Sequence, residues 1–438
     1  MNMEQNETHD PEARSFVESA NVPNCDFPIQ NLPFGAFTNG QNSYASLCVA
    51  IGDQVFDLEA AAARALLDDV DDSTYEVCQE SCLNPLMGLG PARWTALRRA
   101  LFYLLSENSP KRAEAASCLC RQQDVKMVLP AEIGDYTDFY ASMHHASNVG
   151  ALFRPENPLL PNYKWVPVGY HGRASSIVVS GTDVRRPWGQ QKLPSSEQPV
   201  FAPSRRLDYE VEVGAFIGVG NEMGEAIPIA LARDHIFGLC LVNDWSARDI
   251  QSWEYQPLGP FLAKSFATTV SPWVVTAEAL APFCIPALAR APGDPQPLPY
   301  LADAQDQQRG GFDLTVEAYL RTAAMREAGC GPHRFSRGNL REMYWTFAQM
   351  LAHHSSNGCD LRPGDLLASG TVSGPGASER GCLLEITRGG ADPILLPDGS
   401  KRTFLEDGDE VTLRAFCQRS GAVRIGFGEC RGTLTPAR

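Results

Sequence analysis

The chain has 438 residues, 52 acidic against 37 basic, a formal net charge of −15, and 44% hydrophobic and 20% charged residues. That composition is globular and excludes a disordered or collagen-like chain, while the acidic balance argues against nucleic acid or an anionic membrane surface as partner. Two domains are expected at this length, and 32 prolines with 37 glycines favour a turn-rich, mostly β fold.

The first residues, MNMEQNETHDPEARSFVES, show no basic start followed by an apolar run, and no stretch of about twenty apolar residues occurs in the sequence. The expectation is a soluble, cytoplasmic protein. The thirteen cysteines are odd in number. Neither Cys78/Cys82 nor Cys118/Cys120 has a second pair at zinc-finger spacing, so all read as reduced, mostly buried thiols.

In chain order, SYASLCVAIGDQVFDLE predicts two strands joined by a Gly-Asp turn. PARWTALRRALFYLLSE predicts a helix opened by proline, with Trp94, Leu97, Leu101 and Leu104 at helical spacing. These define a small N-terminal β domain over residues 1–125, followed by a larger domain over 126–438. In the larger domain SSIVVSG, DYEVEVGAFIGVG, IFGLCLVND, DEVTLRAFCQ and AVRIGFGEC predict strands. NLREMYWTFAQMLAHH predicts a helix with Met343, Phe347, Met350 and Leu351 on one face. The proline-rich stretches WGQQKLPSSEQPVFAPSRR and APFCIPALARAPGDPQPLPYLADAQDQQRGG read as long surface loops. GVGNEMG follows a strand but misses the dinucleotide-loop spacing by one residue, so a Rossmann site is discarded.

Strand alternation in LDYEVEVGAF puts Glu210 and Glu212 on one face, roughly 7 Å apart, with Tyr209, Val211 and Val213 on the other. A lone E-x-E is usually a solvated strand face. LCLVNDWSARD shifts that balance, because an apolar strand ends in Asp244 and an all-oxygen carboxylate set suits a hard cation, Ca²⁺ or Mg²⁺. SARDIQSWEY opens with a capping-box pattern, Ser246 to Asp249. Arg248, Gln251 and Tyr255 then share a helix face, an ordinary solvated face unless a site lies beside it, and Lys264 offers a further cation. In DYTDFYASMHH, Asp138 can complete the acidic set. His145 is a candidate general base, since imidazole exchanges protons near neutral pH, although a histidine is as often a core residue. His353 and His354 read as C-terminal helix residues that complement the dipole.

Collinear segments then carry a resemblance that spans nearly the whole chain: LPFGAF, DYTDFY, PVGYHGRASSIVVSGT, NDWSARDIQ, WEYQPLGPF, LRPGDLLASGTVSGP and RIGFG. The chain resembles the fumarylacetoacetate hydrolase family. The resemblance implies an α+β, mostly β fold, with an N-terminal SH3-like β-barrel and a C-terminal mixed-β roll, in a homodimer. It implies metal-dependent hydrolysis of the carbon-carbon bond of 4-fumarylacetoacetate to fumarate and acetoacetate, the last step of tyrosine and phenylalanine catabolism, with Mg²⁺ and/or Ca²⁺.

By the same resemblance Asp138, Glu210, Glu212 and Asp244 match the metal carboxylates, and Lys264 and Thr268 match residues close to the ion. His145 matches the catalytic base and Glu385 the carboxylate that orients it. Tyr140, Arg154, Tyr170, Gln251, Tyr255 and Thr371 match substrate contacts, and Arg248, Gln251 and Lys264 match the group that stabilises an oxyanion. Arg154 would give a dianionic diketo-acid a local cation in an acidic protein. Met143 and His144 depart from the family's more usual Arg-Gln, and GPGASERG replaces a more acidic loop before Glu385. Acylpyruvate hydrolases and 2-oxo-acid decarboxylases or hydratases share the E-x-E plus Asp pattern but resemble only the C-terminal domain. A non-catalytic metal-binding relative is the other alternative, and the presence of both His145 and Glu385 argues against it.

Overall fold

In the computed structural model, which describes residues 4–40, 44–193 and 196–438, the N-terminal hairpin pairs Ser46–Ile51 with Gln54–Asp57. Gly52 turns it at φ +57°, a left-handed conformation that glycine adopts without a Cβ clash. Of the segments predicted above, the first three residues of the leader, Ser43, Pro194 and Ser195 lie outside the described residues. Phe34–Thr38, Leu119–Arg121 and Lys126–Val128 complete a five-stranded antiparallel sheet. Because Lys126–Val128 bonds to Phe34–Thr38, this sheet runs three residues past the boundary expected at 125. The helix Pro91–Leu105 buries Leu97, Leu101 and Leu104.

The larger part of the chain is built on two sheets. A mixed eight-stranded sheet runs in the order Gly169–Gly172, Tyr136–Phe139, Leu366–Ala368, Val211–Ile217, Ile236–Asp244, Thr268–Val270, Ile177–Val179, with Val275–Thr276 also on Ile236–Asp244. A five-stranded sheet runs His333–Asn339, Leu314–Arg321, Glu410–Cys417, Ile425–Thr435, Val184–Arg185. Val211, Val213, Leu239 and Leu241 of the first share one apolar core with Val316, Ala318, Leu413 and Phe427 of the second.

Period-two alternation sends the other residues of the eight-stranded sheet to its opposite face. There Phe216, Cys240, Val242 and Leu366 pack with Phe34, Ala36, Leu47 and Val49 of the N-terminal sheet. The Phe237 ring meets Phe34 at 5.8 Å and Trp94 at 5.2 Å between centroids. Phe34 and Val274 exchange two backbone hydrogen bonds, 3.0 and 2.8 Å, which stitch the domains together. Glu212 stands opposite Val242 in the register, so its side chain lies on the face that the N-terminal domain covers.

Three predicted features take a different form. The residue 339–354 stretch breaks into a 3-10 turn, Leu340–Glu342, and a helix, Phe347–Ser355, that starts where Thr346 and Gln349 cap each other. Met343 therefore precedes the helix, because the capping pair competes with continued helical hydrogen bonding. Burial lowers both His353 and His354. They pair with Tyr300 Oη at 3.0 Å and Thr137 Oγ1 at 2.8 Å rather than acting as cations on the dipole. The predicted loop at residues 188–206 contains a hairpin, Trp188–Gln191 with Val200–Pro203, whose Trp188 and Phe201 rings stack at 5.6 Å.

Among the described residues no helix is long and apolar enough to cross a membrane. All thirteen cysteines are free thiols. Phe237→Ala removes the ring shared by both domains and is expected to cost about 3–5 kcal/mol in urea unfolding, with both domains' signals moving together.

Candidate active site

Sheet register brings the acidic residues to one end of adjacent strands. Asp138 stands opposite Ala368 on one side and Tyr170 on the other, and Asp244 ends its strand opposite Thr268. Glu210 precedes Val211–Ile217, its amide donating to Asn243 Oδ1 at 3.1 Å. One carboxylate oxygen each from Asp138, Glu210, Glu212 and Asp244 falls within 4.8 Å of all the others, and all four residues are buried. Among the described residues, both Glu212 oxygens and Asp138 Oδ1 lack any protein donor.

Burial, reinforced by the Asp244 charge, holds Asp138 well above the ordinary carboxylate range. Burial and the Asp138 charge do the same to Glu212. Burial also pushes Glu210 upward, but the Lys264 and Arg248 cations outweigh it and keep Glu210 well below that range. Orphaned, dehydrated carboxylate oxygens are costly unless a cation meets them. Four convergent hard oxygen donors without a soft ligand among them therefore fit a hard divalent ion.

Around this group, Lys264 Nζ donates to Glu210 Oε2 and to Asp244 Oδ2, the latter at 2.9 Å. Burial alone would neutralise Lys264, yet Asp244 and Glu210 hold it protonated, with its affinity raised above that of an ordinary lysine. Lys264 is thus a fixed cation with no lone pair to offer an ion. Thr268 Oγ1 and Tyr170 Oη each donate to Asp244 at 2.7 Å.

Arg248 opens the helix Arg248–Glu254. Its Nη2 lies 2.8 Å from Glu210 Oε1 and 2.9 Å from Asp208 Oδ2, and its Nη1 donates to Gln251 Oε1 at 3.1 Å. The expected Ser246–Asp249 capping box does not form. Ser246 and Ala247 pair as a strand with Leu207–Asp208, so the N-cap falls at Ala247. Ser246 Oγ turns to the Asp244 carbonyl at 3.1 Å, and Asp249 accepts from Ser204 Oγ at 2.6 Å. Tyr255 ends this helix and packs its ring against Phe153.

The second unit centres on His145, in the first turn of the helix Met143–Phe153, whose N-cap Ser142 accepts from the His145 amide at 3.2 Å. His145 Nδ1 and Glu385 Oε2 are 2.6 Å apart, with both side chains buried. Glu385 also accepts from Ser373 Oγ at 2.8 Å, Asn148 Nδ2 at 2.8 Å and Cys382 Sγ at 3.3 Å. Burial raises Glu385, but the His145 charge and these hydrogen bonds bring it down to about 2. An ionised Glu385 accepts the Nδ1 proton, which leaves Nε2 as the basic nitrogen.

Of the remaining predicted contacts, Tyr140 borders the His145 unit. The Tyr140 ring meets His145 edge-on at 5.3 Å. Arg154 Nη2 donates to the Pro158 carbonyl at 3.3 Å while its Nε, like the Thr371 hydroxyl, is buried without a protein partner. His144 turns to Glu342 at 3.5 Å, away from Glu385. In the GPGASERG loop, Glu379 accepts the Gly376 amide and Arg380 Nη1 donates to the Glu385 carbonyl, so the loop closes on the turn that carries Glu385.

Asp208, Asn148, Ser373 and Cys382 escaped sequence reasoning. Asp208 carried a signal, since D-x-E-x-E alternation places it on the Glu210 face, and Asn148 lies one helical turn after His145. Ser373 and Cys382 carried none.

Proton linkage follows from the carboxylate group. In the metal-free protein Asp138 and Glu212 bind protons more tightly folded than unfolded. Their contribution to stability is therefore complete below pH about 4 and is lost as pH rises through the folded-state values. A divalent ion, which binds the ionised carboxylates, competes with those protons. Titration calorimetry with Mg²⁺ in buffers of different ionisation enthalpy is expected to show protons released on binding. Glu212→Gln should reduce both that release and the affinity.

The model described as Fumarylacetoacetate (FAA) hydrolase C-terminal matches residues 135–435, and Fumarylacetoacetase N-terminal matches residues 30–130. The chain is 49% identical to the fumarylacetoacetase of Rattus norvegicus over 428 residues, covering 97% of this chain and 99% of that one. It is 50% identical to that of Caenorhabditis elegans and 48% to that of Homo sapiens, with the same coverage. A fumarylacetoacetate hydrolase structure from psychrophilic Exiguobacterium antarcticum shares the fold, with a TM-score of 0.51 at 16% identity over 93% of this chain and 100% of that one. With both family models matched and near-half identity along almost its full length, the chain belongs to the fumarylacetoacetate hydrolase family.

Proposed function

We propose that this chain is a hydrolase that cleaves the carbon-carbon bond of 4-fumarylacetoacetate, giving fumarate and acetoacetate as the last step of tyrosine and phenylalanine catabolism. The observation that carries the reading is the pairing of two buried units: His145 bonded to Glu385 at 2.6 Å, and four carboxylates within 4.8 Å of one another. The names of the curated relatives, fumarylacetoacetases over 97% of this chain, support the substrate.

The reaction consumes one water. His145 Nε2 takes its proton while Glu385 stays ionised and steadies the imidazolium. The hydroxide adds to the fumaryl carbonyl carbon, and the oxyanion that forms meets Arg248, Gln251 and Lys264. Losing one such preorganised donor typically costs about 3 kcal/mol of transition-state stabilisation. The tetrahedral carbon then collapses to fumarate, the carbon-carbon bond breaks, and the acetoacetate carbanion takes back the proton that His145 held. Tyr140, Arg154, Tyr170, Gln251, Tyr255 and Thr371 hold the dianionic substrate. The unpartnered Arg154 Nε and Thr371 Oγ1 support that role. Asp138, Glu210, Glu212 and Asp244 are the ligands for Mg²⁺ or Ca²⁺, with Lys264 and Thr268 bracing Glu210 and Asp244. When bound, the ion supplies Lewis acidity towards diketone oxygens.

The finer architecture belongs to the same reading. The five antiparallel N-terminal strands support an SH3-like barrel, and the two-sheet body supports a mixed-β roll. Exposed Trp188, Phe201, Leu258 and Phe261 support a second copy of the chain as partner in a homodimer. Thirteen free thiols support the cytoplasm.

The decisive assay follows the ultraviolet absorbance of fumarylacetoacetate. Wild type with Mg²⁺ or Ca²⁺ is expected to consume it, a chelator to stop the reaction, and His145→Ala to lower kcat by about 10³-fold. A wild type inert on this substrate but active on acylpyruvates would replace the reading with the related hydrolase. Inertness on both would make the chain a binding protein.

A further inference from the structure

We infer that Asp208 is a positioning residue that ties the Arg248 guanidinium to the turn carrying Glu385, and so sets the two halves of the site in a fixed relation. The inference rests on the hydrolase reading above and deepens it. Asp208 is wholly buried, at 0% exposure. Its Oδ2 accepts from Arg248 Nε at 2.9 Å and lies 2.9 Å from Nη2. The same oxygen accepts the Leu384 amide at 2.9 Å, and Oδ1 accepts the Leu383 amide at 2.7 Å and the Tyr209 amide at 2.9 Å.

These partners come from three separate places in the chain. Arg248 reaches Glu210, a member of the carboxylate group, at 2.8 Å on its other side. Leu383 and Leu384 begin the short helix Leu383–Ile386 that holds Glu385, and its N-cap, Cys382, makes no side-chain capping bond. Asp208 therefore does across the fold what a local cap would do, satisfying amides that have no intrahelical acceptor. The strand pairing of Asp208 with Ser246 anchors this junction two residues from Arg248 and two from Glu210.

A buried ion pair is a poor source of stability, since dehydration offsets the attraction. What this one supplies is geometry. Glu210 alone would leave the guanidinium one carboxylate and a free rotation. With Asp208 on the opposite side, Nε donates to Asp208, Nη2 lies at ion-pair distance from both acids without a directed hydrogen bond to either, and Nη1 is turned to Gln251. Asp208 itself stands behind Arg248 and needs no contact with substrate.

Asp208→Asn separates this role from general support of the fold. The amide oxygen in the place of Oδ1 can still accept from the Leu383 and Tyr209 amides, while the amide nitrogen in the place of Oδ2 faces the Leu384 amide and a guanidinium, neither of which it can bind. The expected result is a fall in kcat of about 30-fold with KM within about 2-fold, the signature of an interaction realised in the transition state. In an Arg248→Met background the same substitution is expected to change kcat by less than about 2-fold, because the group it positions is gone. Unchanged kcat in the single variant, or a full additional loss in the double variant, overturns the inference.

A spectroscopic reading covers the cases in which Arg248→Met does not fold or the substrate proves wrong. In protein labelled with ¹⁵N-arginine, a slowly exchanging Nε–H signal is expected that vanishes in Arg248→Lys and exchanges rapidly in Asp208→Asn. Its persistence in Asp208→Asn refutes positioning whatever the substrate is. Its loss alongside an inert wild type would leave the Asp208–Arg248 link standing and fault the hydrolase reading alone.

Discussion

Repulsion among dehydrated carboxylates is the constraint around which the structure is arranged. Asp138, Glu210, Glu212 and Asp244 share a space of 4.8 Å on a sheet face from which water is excluded, where charges interact far more strongly than in bulk solvent. A chain would not keep that arrangement for stability. Lys264 and Arg248 neutralise part of it, both reaching Glu210 and Lys264 also reaching Asp244. Among the described residues Glu212 is left with no protein donor, a setting that fits a hard divalent cation.

The N-terminal domain is what makes this face dry. It covers the same side of the eight-stranded sheet that bears the acids, and Phe34, Phe237 and Trp94 form an aromatic seam at the other end of the strand that ends in Asp244. The opposite side is consumed by the core shared with the second sheet. Fold and chemistry are connected through the two-residue period of a strand: Val211 and Val213 hold the sheets together, while Glu210 and Glu212, between and beside them, face the site. A one-residue slip in that strand would bury valines in the site and acids in the core.

That period is also why part of the site was legible beforehand. Glu210, Glu212 and Asp244 follow from alternation and from an apolar strand ending in an acid. Asp138 and His145 were visible as an unusual local crowd, while Glu385, 240 residues from His145, was reachable only through family resemblance. The failures were those of local pattern against tertiary pairing. Ser246 had the spacing of a helix cap, but strand pairing with Asp208 claimed its backbone first. Met343 kept the helical period, but Thr346 and Gln349 started the helix later. Asp208 sat in plain alternation with Glu210 and Glu212, yet its importance comes from amides at positions 383 and 384, which no window of sequence around it contains.

The central claim is that water held by the His145–Glu385 pair is delivered to the fumaryl carbonyl. Turnover in H₂¹⁸O, with products resolved by mass spectrometry, tests it most directly. The account predicts fumarate carrying one ¹⁸O in its new carboxylate at every turnover, with the rate of labelled-fumarate formation falling in step with kcat in Glu385→Gln while the label per fumarate stays at one. Fumarate released without label from wild type would mean that solvent water is not the nucleophile, and would contradict the account.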